Sequence, residues 1–326
     1  VAIALVDNTS AKRTLRPSWE GQDRTFKQKL PRLAIAFLLA AFVGGIVEVI
    51  ALSYTASSKI VHPVKRANTR TPADLGMPYE DNVVYSGENG VPINSWFIPG
   101  NNRAAIIVLH GYGANKASIL EIAEFLWRKG GFSLLVPDMR ASGDSGGDFI
   151  TAGYYERDDV QQAVRYLQSR KDVDPEKIGA IGVSMGASIA VLAAASDENI
   201  RAVVADSPFR SVSDLLYHSF ETIFGLPRFP FEPIAVIMVE NQVGLPINAV
   251  SAIEEISKIS PRPLFLIHGS ADPLIPPEES LELFTAAGSP KELWIVEGAG
   301  HADAFHVDRM GYEDKVTGFF ERYLKD

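Results

Sequence analysis

The stretch "KIGAIGVSMGASIAVLAAA", residues 177–195, holds a strand, a turn and a helix in 19 positions. Residues 177–184 read as a strand. Residues 187–195 are small and aliphatic and predict a helix. Ser184 stands between them, with Gly182 and Gly186 two positions away on either side. A serine on a tight strand-to-helix turn projects above the sheet edge. Its neighbours two positions away must be tiny, because the strand and helix backbones crowd there. The helix N-terminus then offers backbone N–H groups to a developing negative charge. Ser184 is therefore the expected nucleophile.

A second G-x-S-x-G match, "GDSGG", runs from Gly143 to Gly147 around Ser145. It has the spelling found around the nucleophile of trypsin-like proteases, but its surroundings differ from those of Ser184. It follows a strand end, "VPDMRAS", and no helix starts at the serine. A trypsin-like reading needs an all-β body with its histidine far upstream. The expectation for GDSGG is a flexible, glycine-rich turn beside the active-site face.

Outward from residues 177–195, strands and helices alternate. "NVVY" and "INSWFI" read as a hairpin pair, and "AAIIVLH" (104–110) and "FSLLVPD" (132–138) as buried strands. "RAVVADS" (201–207), "RPLFLIHG" (262–269) and "KELWIVEG" (291–298) complete the strands. Ile119, Ile122, Ala123, Leu126 and Trp127 keep helical spacing, as do Val160, Ala163, Val164 and Leu167; residues 307–324 close the chain as a helix. This alternation predicts an α/β fold, a mostly parallel eight-stranded sheet with helices on both faces.

A nucleophilic serine needs a base and a group that orients the base. His301 follows the last predicted strand in "EGAGHADAF", and Asp272 follows the preceding one in "HGSADPLIP". Both lie at C-terminal strand ends, the edge that carries Ser184. Acid before base after the serine is the order of the serine hydrolases that carry a nucleophile elbow. His306 is the rival base, expected inside the final helix. An Asp-Pro turn is the competing role for Asp272. His110 and His268 precede glycines at strand ends and are expected to be structural, and Asp138 and Arg140 to tie down a loop.

These segments together resemble the α/β-hydrolase superfamily, in its serine esterase/lipase-like branch, over residues 80–326. The resemblance rests on "LHGYGAN", "DMRASGDSGG", "GVSMG", "HGSADPLIP" and "GAGHADAF", in that order. One departure is that Ala141 and Ser142 stand where the family often carries Gly and His. The resemblance implies that Ser184 attacks an acyl carbonyl, that His301 relays the proton and that Asp272 holds the imidazole. The backbone N–H groups of Met185 and Tyr112 would receive the oxyanion. Some family members take the acid from the position of Asp206.

Residues 207–260 are expected to form a small cap. Its apolar residues, among them Phe209, Leu216, Phe220, Phe224, Phe229 and Phe231, favour apolar or lipid-like acyl substrates if they face the site, and otherwise pack the cap on the body.

Residues 33–54, "LAIAFLLAAFVGGIVEVIALSY", carry one ionisable residue, Glu48. As a helix they are about 33 Å long, enough to cross a hydrocarbon core. The expected organisation is a basic segment 1–32, a transmembrane helix 33–55, a linker 56–80 and a hydrolase domain 81–326. A cleaved signal peptide and a buried soluble helix are the competing readings; the long preceding segment counts against the first and the lack of a polar face against the second. Arg13, Arg16, Arg24, Lys27, Lys29 and Arg32 precede the span and Lys59, Lys65, Arg66 and Arg70 follow it. That balance favours a cytoplasmic N-terminus and an outward-facing hydrolase domain.

The chain has 326 residues, 46% of them apolar, enough for one large domain and an appendage. With no cysteine, it has no disulfides, thiolate zinc sites or cysteine nucleophiles. Residues 1–70 hold 11 Lys/Arg against 4 Asp/Glu, and residues 71–326 hold 20 against 36. The acidic body argues against nucleic-acid binding. The expected partners are a small-molecule ester or acyl substrate and a membrane, with no cofactor and no metal. The favoured reading is a membrane-anchored serine hydrolase cutting carboxylic esters or thioesters. A peptidase of the same fold usually adds a propeller, for which 326 residues leave no room, or a charged pocket for peptide termini. A non-catalytic binding protein on the same scaffold is the third reading.

Overall fold

The computed structural model describes residues 19–85 and 90–325. Most of the basic start expected over 1–32 lies outside the described residues. The chain divides after Ala51 into two compact units.

The first unit carries most of a long helix, α1 (Trp19–Val61). Its stretch Leu30–Val61 contains an 18-residue window of mean hydropathy 2.6 and is long and apolar enough to cross a membrane. Large apolar side chains such as Phe37, Leu38 and Phe42 are exposed along it.

The second unit, Leu52–Asp326, is built on one sheet. Its elements follow in order: β1 (Glu80–Tyr85), β2 (Pro92–Ile98), β3 (Ala105–Leu109), α2 (Leu120–Arg128), β4 (Ser133–Pro137), α3 (Glu156–Ser169), β5 (Ile178–Val183), α4 (Met185–Ser196) and β6 (Ile200–Asp206). Then come α5 (Val212–Phe224), α6 (Arg228–Val243), α7 (Ala252–Glu255), β7 (Leu264–Gly269), α8 (Pro277–Ala286), β8 (Lys291–Val296), α9 (Ala304–Val307) and α10 (Arg309–Leu324). The eight strands lie in the order β1-β2-β4-β3-β5-β6-β7-β8. β1 and β2 are antiparallel, as is β2 against β4, and every other pairing is parallel.

The apolar runs that predict strands are buried on both faces. In β3, Ala105, Ile107 and Leu109 join one core with α3 and α4, while Ile106 and Val108 join the other with α2 and α10. α4 is apolar almost all round because it is enclosed; ten of its residues are buried.

The region expected to be a linker is packed. α1 runs on through Val61, and Ala56, Ser57 and Val61 are buried. Within 207–260, α5 and α6 pack against these last turns of α1: Phe220, Ala235 and Ala56 share a small core, and Ser53 Oγ donates to Phe231 O at 3.1 Å. α7 belongs to the body, with Ala252 in the α3–α4 core. The competing role for the apolar cap residues therefore holds for much of the cap: they pack it onto the body.

Candidate active site

Ser184 is the single residue between β5 and α4, and it takes φ 56°, ψ −120°. That conformation costs a non-glycine residue about 1–3 kcal/mol. The surrounding backbone holds it, since Ser184 N–H donates to Asp206 O at 2.8 Å and Ser184 O accepts from Ala187 N at 2.9 Å. The flanking glycines are a steric requirement. A Cβ at Gly182 would overlap the carbonyl of Gly186, and one at Gly186 would overlap the carbonyls of Leu109 and His110.

Ser184 Oγ lies 2.8 Å from His301 Nε2, and His301 Nδ1 lies 2.7 Å from Asp272 Oδ2. The loops after β7 and β8 bring these groups together. Gly269 allows that approach, because a Cβ there would overlap the carbonyls of Ala299 and Gly300. Asp272 Oδ1 accepts the N–H groups of Leu274 at 2.8 Å and Ile275 at 3.0 Å. Burial pushes the Asp272 pKa up. Hydrogen bonds from His268, His301 and Ile275 N–H outweigh it and hold the carboxyl well below its ordinary range.

His268 supports Asp272 more directly than its expected structural role implied. Its Nε2 lies 3.0 Å from Ile275 O and 3.3 Å from Asp272 Oδ2. A carbonyl only accepts, so Nε2 carries the proton and also faces the carboxylate. Ser280 Oγ meets Nδ1 at 2.6 Å and fixes the ring from behind. The spacing of four residues in "HGSAD" was the available signal. His110 is structural as expected. Its Nδ1–H donates to Gly111 O at 2.8 Å and its Nε2 accepts from Met139 N–H at 3.0 Å, while burial lowers its pKa.

The rival groups fall elsewhere. Asp206 is buried beside the site, and its Oδ1 accepts from Ser207 Oγ at 2.9 Å; burial pushes its pKa up to about 6. His301 makes its hydrogen bond to Asp272 and not to Asp206. His306 sits in α9 and not in the final helix, because the chain breaks at Asp308 before α10 begins; its side chain lines the cavity over Ser184. That cavity has a volume of about 370 Å³. Tyr112, Ile119, Ile122, Leu274 and Phe305 supply much of its wall, and no described residue of α5 or α6 lines it. Met185 is the first residue of α4, so its N–H has no partner within the helix.

GDSGG is a rigid support and not a flexible turn. Ser145 is buried; its Oγ donates to Asp138 O at 2.6 Å and accepts from Asn94 N–H at 2.7 Å. The Asp138 carboxylate, which a Cβ on Gly143 would overlap, accepts Lys116 N–H at 2.7 Å and Asp144 N–H at 2.9 Å. Arg140 makes a buried two-pronged pair with Asp159 at 2.7 and 2.8 Å. Ala141 adopts φ 55°, which explains why glycine suits the position where this chain departs from the family pattern.

Comparisons with known proteins bear on the family and the fold. The profile of the prolyl oligopeptidase family matches residues 120–326. The uncharacterized protein YfhR of Escherichia coli O157:H7 is 31% identical over 73% of this chain and 80% of its own length. The uncharacterized protein YqkD of Bacillus subtilis is 30% identical over 68% of this chain and 73% of its own. Among solved structures, an esterase of Pyrococcus furiosus superposes with a TM-score of 0.69 at 28% identity, covering 82% of this chain and 99% of that one. By sequence and by fold, the chain belongs to the prolyl oligopeptidase family and is a serine hydrolase of the α/β-hydrolase superfamily.

Proposed function

We propose that the protein cleaves carboxylic ester or thioester bonds through an acyl-enzyme intermediate on Ser184. The observation that carries this reading is the unbroken chain from Ser184 Oγ to His301 at 2.8 Å and from His301 to Asp272 at 2.7 Å, opening on a cavity of about 370 Å³. Ser184 Oγ attacks the acyl carbon while its proton passes to His301 Nε2. The carbonyl oxygen becomes an anion and takes hydrogen bonds from Met185 N–H and Tyr112 N–H. Asp272 holds the imidazolium. Collapse breaks the bond to the leaving oxygen or sulfur, which receives the proton from His301. Water, deprotonated by His301, then attacks the acyl-enzyme; collapse breaks the bond to Ser184 Oγ, which takes the proton back from His301, and releases the acid.

The walls given by Ile119, Ile122, Leu274 and Phe305 favour apolar acyl groups, and they take over the role that the cap residues were expected to play. A series of p-nitrophenyl esters tests this. We expect kcat/KM to rise with acyl length up to the size of the cavity, and a flat profile would refute it. Labelling by a fluorophosphonate, lost in Ser184→Ala, tests the nucleophile and separates an enzyme from a binding scaffold.

The family match favours a second reading, a peptidase. The charged carboxylates at the cavity are Glu121 and Asp206, and no Lys or Arg among the described residues lines it, so a free C-terminus finds no cation there. Turnover of peptidyl p-nitroanilides faster than the matched esters would establish the peptidase reading. The apolar stretch of α1 supports a membrane span; the balance of flanking Lys and Arg favours the hydrolase domain on the outer side, which protease protection of sealed vesicles tests.

A further inference from the structure

Tyr112 is bracketed by Gly111 and Gly113, and Gly113 takes φ +65° with nothing near the position of a Cβ. A backbone donor between two glycines has little local stiffness of its own. The anchors come from residues 59–68. The Tyr112 hydroxyl donates to the carbonyl of Lys59 in the last turn of α1. Three residues on, Asn115 Nδ2 donates to the carbonyls of Arg66 at 3.1 Å and Ala67 at 3.0 Å. Asn68 Oδ1 accepts Ala117 N–H at 3.3 Å.

The same segment holds the loop after β4. Ile150 N–H donates to Val61 O at 2.9 Å, Lys65 Nζ donates to Ser145 O at 2.7 Å, and Asn68 Nδ2 donates to Asp138 Oδ2 at 3.0 Å and Asp144 Oδ2 at 2.8 Å. His62 Nδ1–H donates to Asp148 O at 2.6 Å. Residues 59–68 thus form a strap tied to both loops.

From this we infer that Tyr112 is a positioning residue: its side chain, moored on the last turn of α1, fixes its own backbone N–H as an oxyanion donor, so the strap 59–68 is part of what makes the site competent. The inference rests on the acyl-transfer reading above. Fixing the donor beforehand matters because an oxyanion hole works through preorganisation. Removing such a donor outright costs about 10²–10³ in kcat, and freeing it to wander costs a part of that, about tenfold.

The test uses the full chain in detergent micelles with p-nitrophenyl butyrate. In Tyr112→Phe, which removes only the hydroxyl, we expect kcat to fall about tenfold with KM within about twofold. Binding of an aryl trifluoromethyl ketone, which adds Ser184 Oγ and bears the oxyanion, should weaken by the same factor. Asn115→Asp keeps the acceptor and loses the two donors to the strap, so it should move kcat the same way. A Tyr112→Phe enzyme with wild-type kcat and ketone affinity, or one that changes melting temperature or KM alone, overturns the inference. If the wild-type chain is not labelled at Ser184 by a fluorophosphonate, the acyl-transfer reading itself falls and takes the inference with it. Labelled wild type with an indifferent Tyr112→Phe sinks the inference alone.

Discussion

Asp272→Asn gives the most severe test of the proposed site. Four N–H groups converge on the carboxylate: Leu274 and Ile275 on Oδ1, His301 Nδ1 and His268 Nε2 on Oδ2. All four are donors, and an amide offers one acceptor. If its oxygen serves the two backbone N–H groups, its NH₂ faces the two imidazoles. His301 then relieves the conflict by moving its proton to Nε2, where it points at Ser184 Oγ and can no longer accept from it. A wrong tautomer of this kind lowers kcat about 10⁴-fold, or about 5.5 kcal/mol. The assay is kcat on a p-nitrophenyl ester, with folding checked by calorimetry. The carboxylate pKa is depressed in the folded state, so its contribution to stability is present above the ordinary value of 3.8 and is lost as pH falls through the native value. The gap in melting temperature between wild type and Asp272→Asn should hold from pH 5 to 8 and shrink below pH 4. A folded Asp272→Asn enzyme within about tenfold of wild type would refute the assignment of the acid. A loss of that size in Asp206→Asn instead would move the role to Asp206.

Ser145→Ala should keep fluorophosphonate labelling while losing about 1–3 kcal/mol of stability, because Asn94 N–H and Asp138 O lose a buried partner; melting temperature and labelling together check it. Gly186→Ala should fail to give soluble, active protein, since its Cβ would overlap the carbonyls of Leu109 and His110; wild-type yield and activity would contradict the crowding argument. Burial pushes the pKa of Glu279 up to about 7 from 4.5, so its favourable protonated state is lost as pH rises through 7. Glu279→Gln, which keeps an acceptor for Arg210 N–H, should therefore stabilise the protein by up to about 3 kcal/mol at pH 8 and little at pH 5, read as melting temperature against pH.

The strands were legible because burial on both faces leaves a plain trace, as in the run 104–110 that contains β3. Ser184, Asp272 and His301 were legible for a different reason: each follows a strand at the same sheet edge, so strand order alone brings them together. The cap was not legible in the same way. Phe220 and Phe231 are apolar whether they line the cavity or pack against Ala56, and composition does not say which way a face turns. The packing of residues 56–68 was hidden more deeply. Many of its contacts are made by its own backbone carbonyls, those of Lys59, Val61, Arg66 and Ala67, and every residue type carries one.

The two G-x-S-x-G matches show why a motif needs its flanks. In GVSMG the glycines answer the crossing of two backbones, β5 against α4 and α4 against the end of β3. In GDSGG they answer a carboxylate and a proline, because a Cβ on Gly143 would overlap Asp138 and one on Gly146 would press on Pro92. The first demand leaves the serine on a strained turn, with its hydroxyl 2.8 Å from an imidazole. The second buries the serine and spends its hydroxyl on two backbone groups. A hydroxyl already donating to Asp138 O has no proton to hand to a base, and among the described contacts of Ser145 no histidine stands near enough to take one. The same G-x-S-x-G pattern thus sets the hydroxyl against an imidazole where a helix begins at the serine, and makes it a structural rivet where none does.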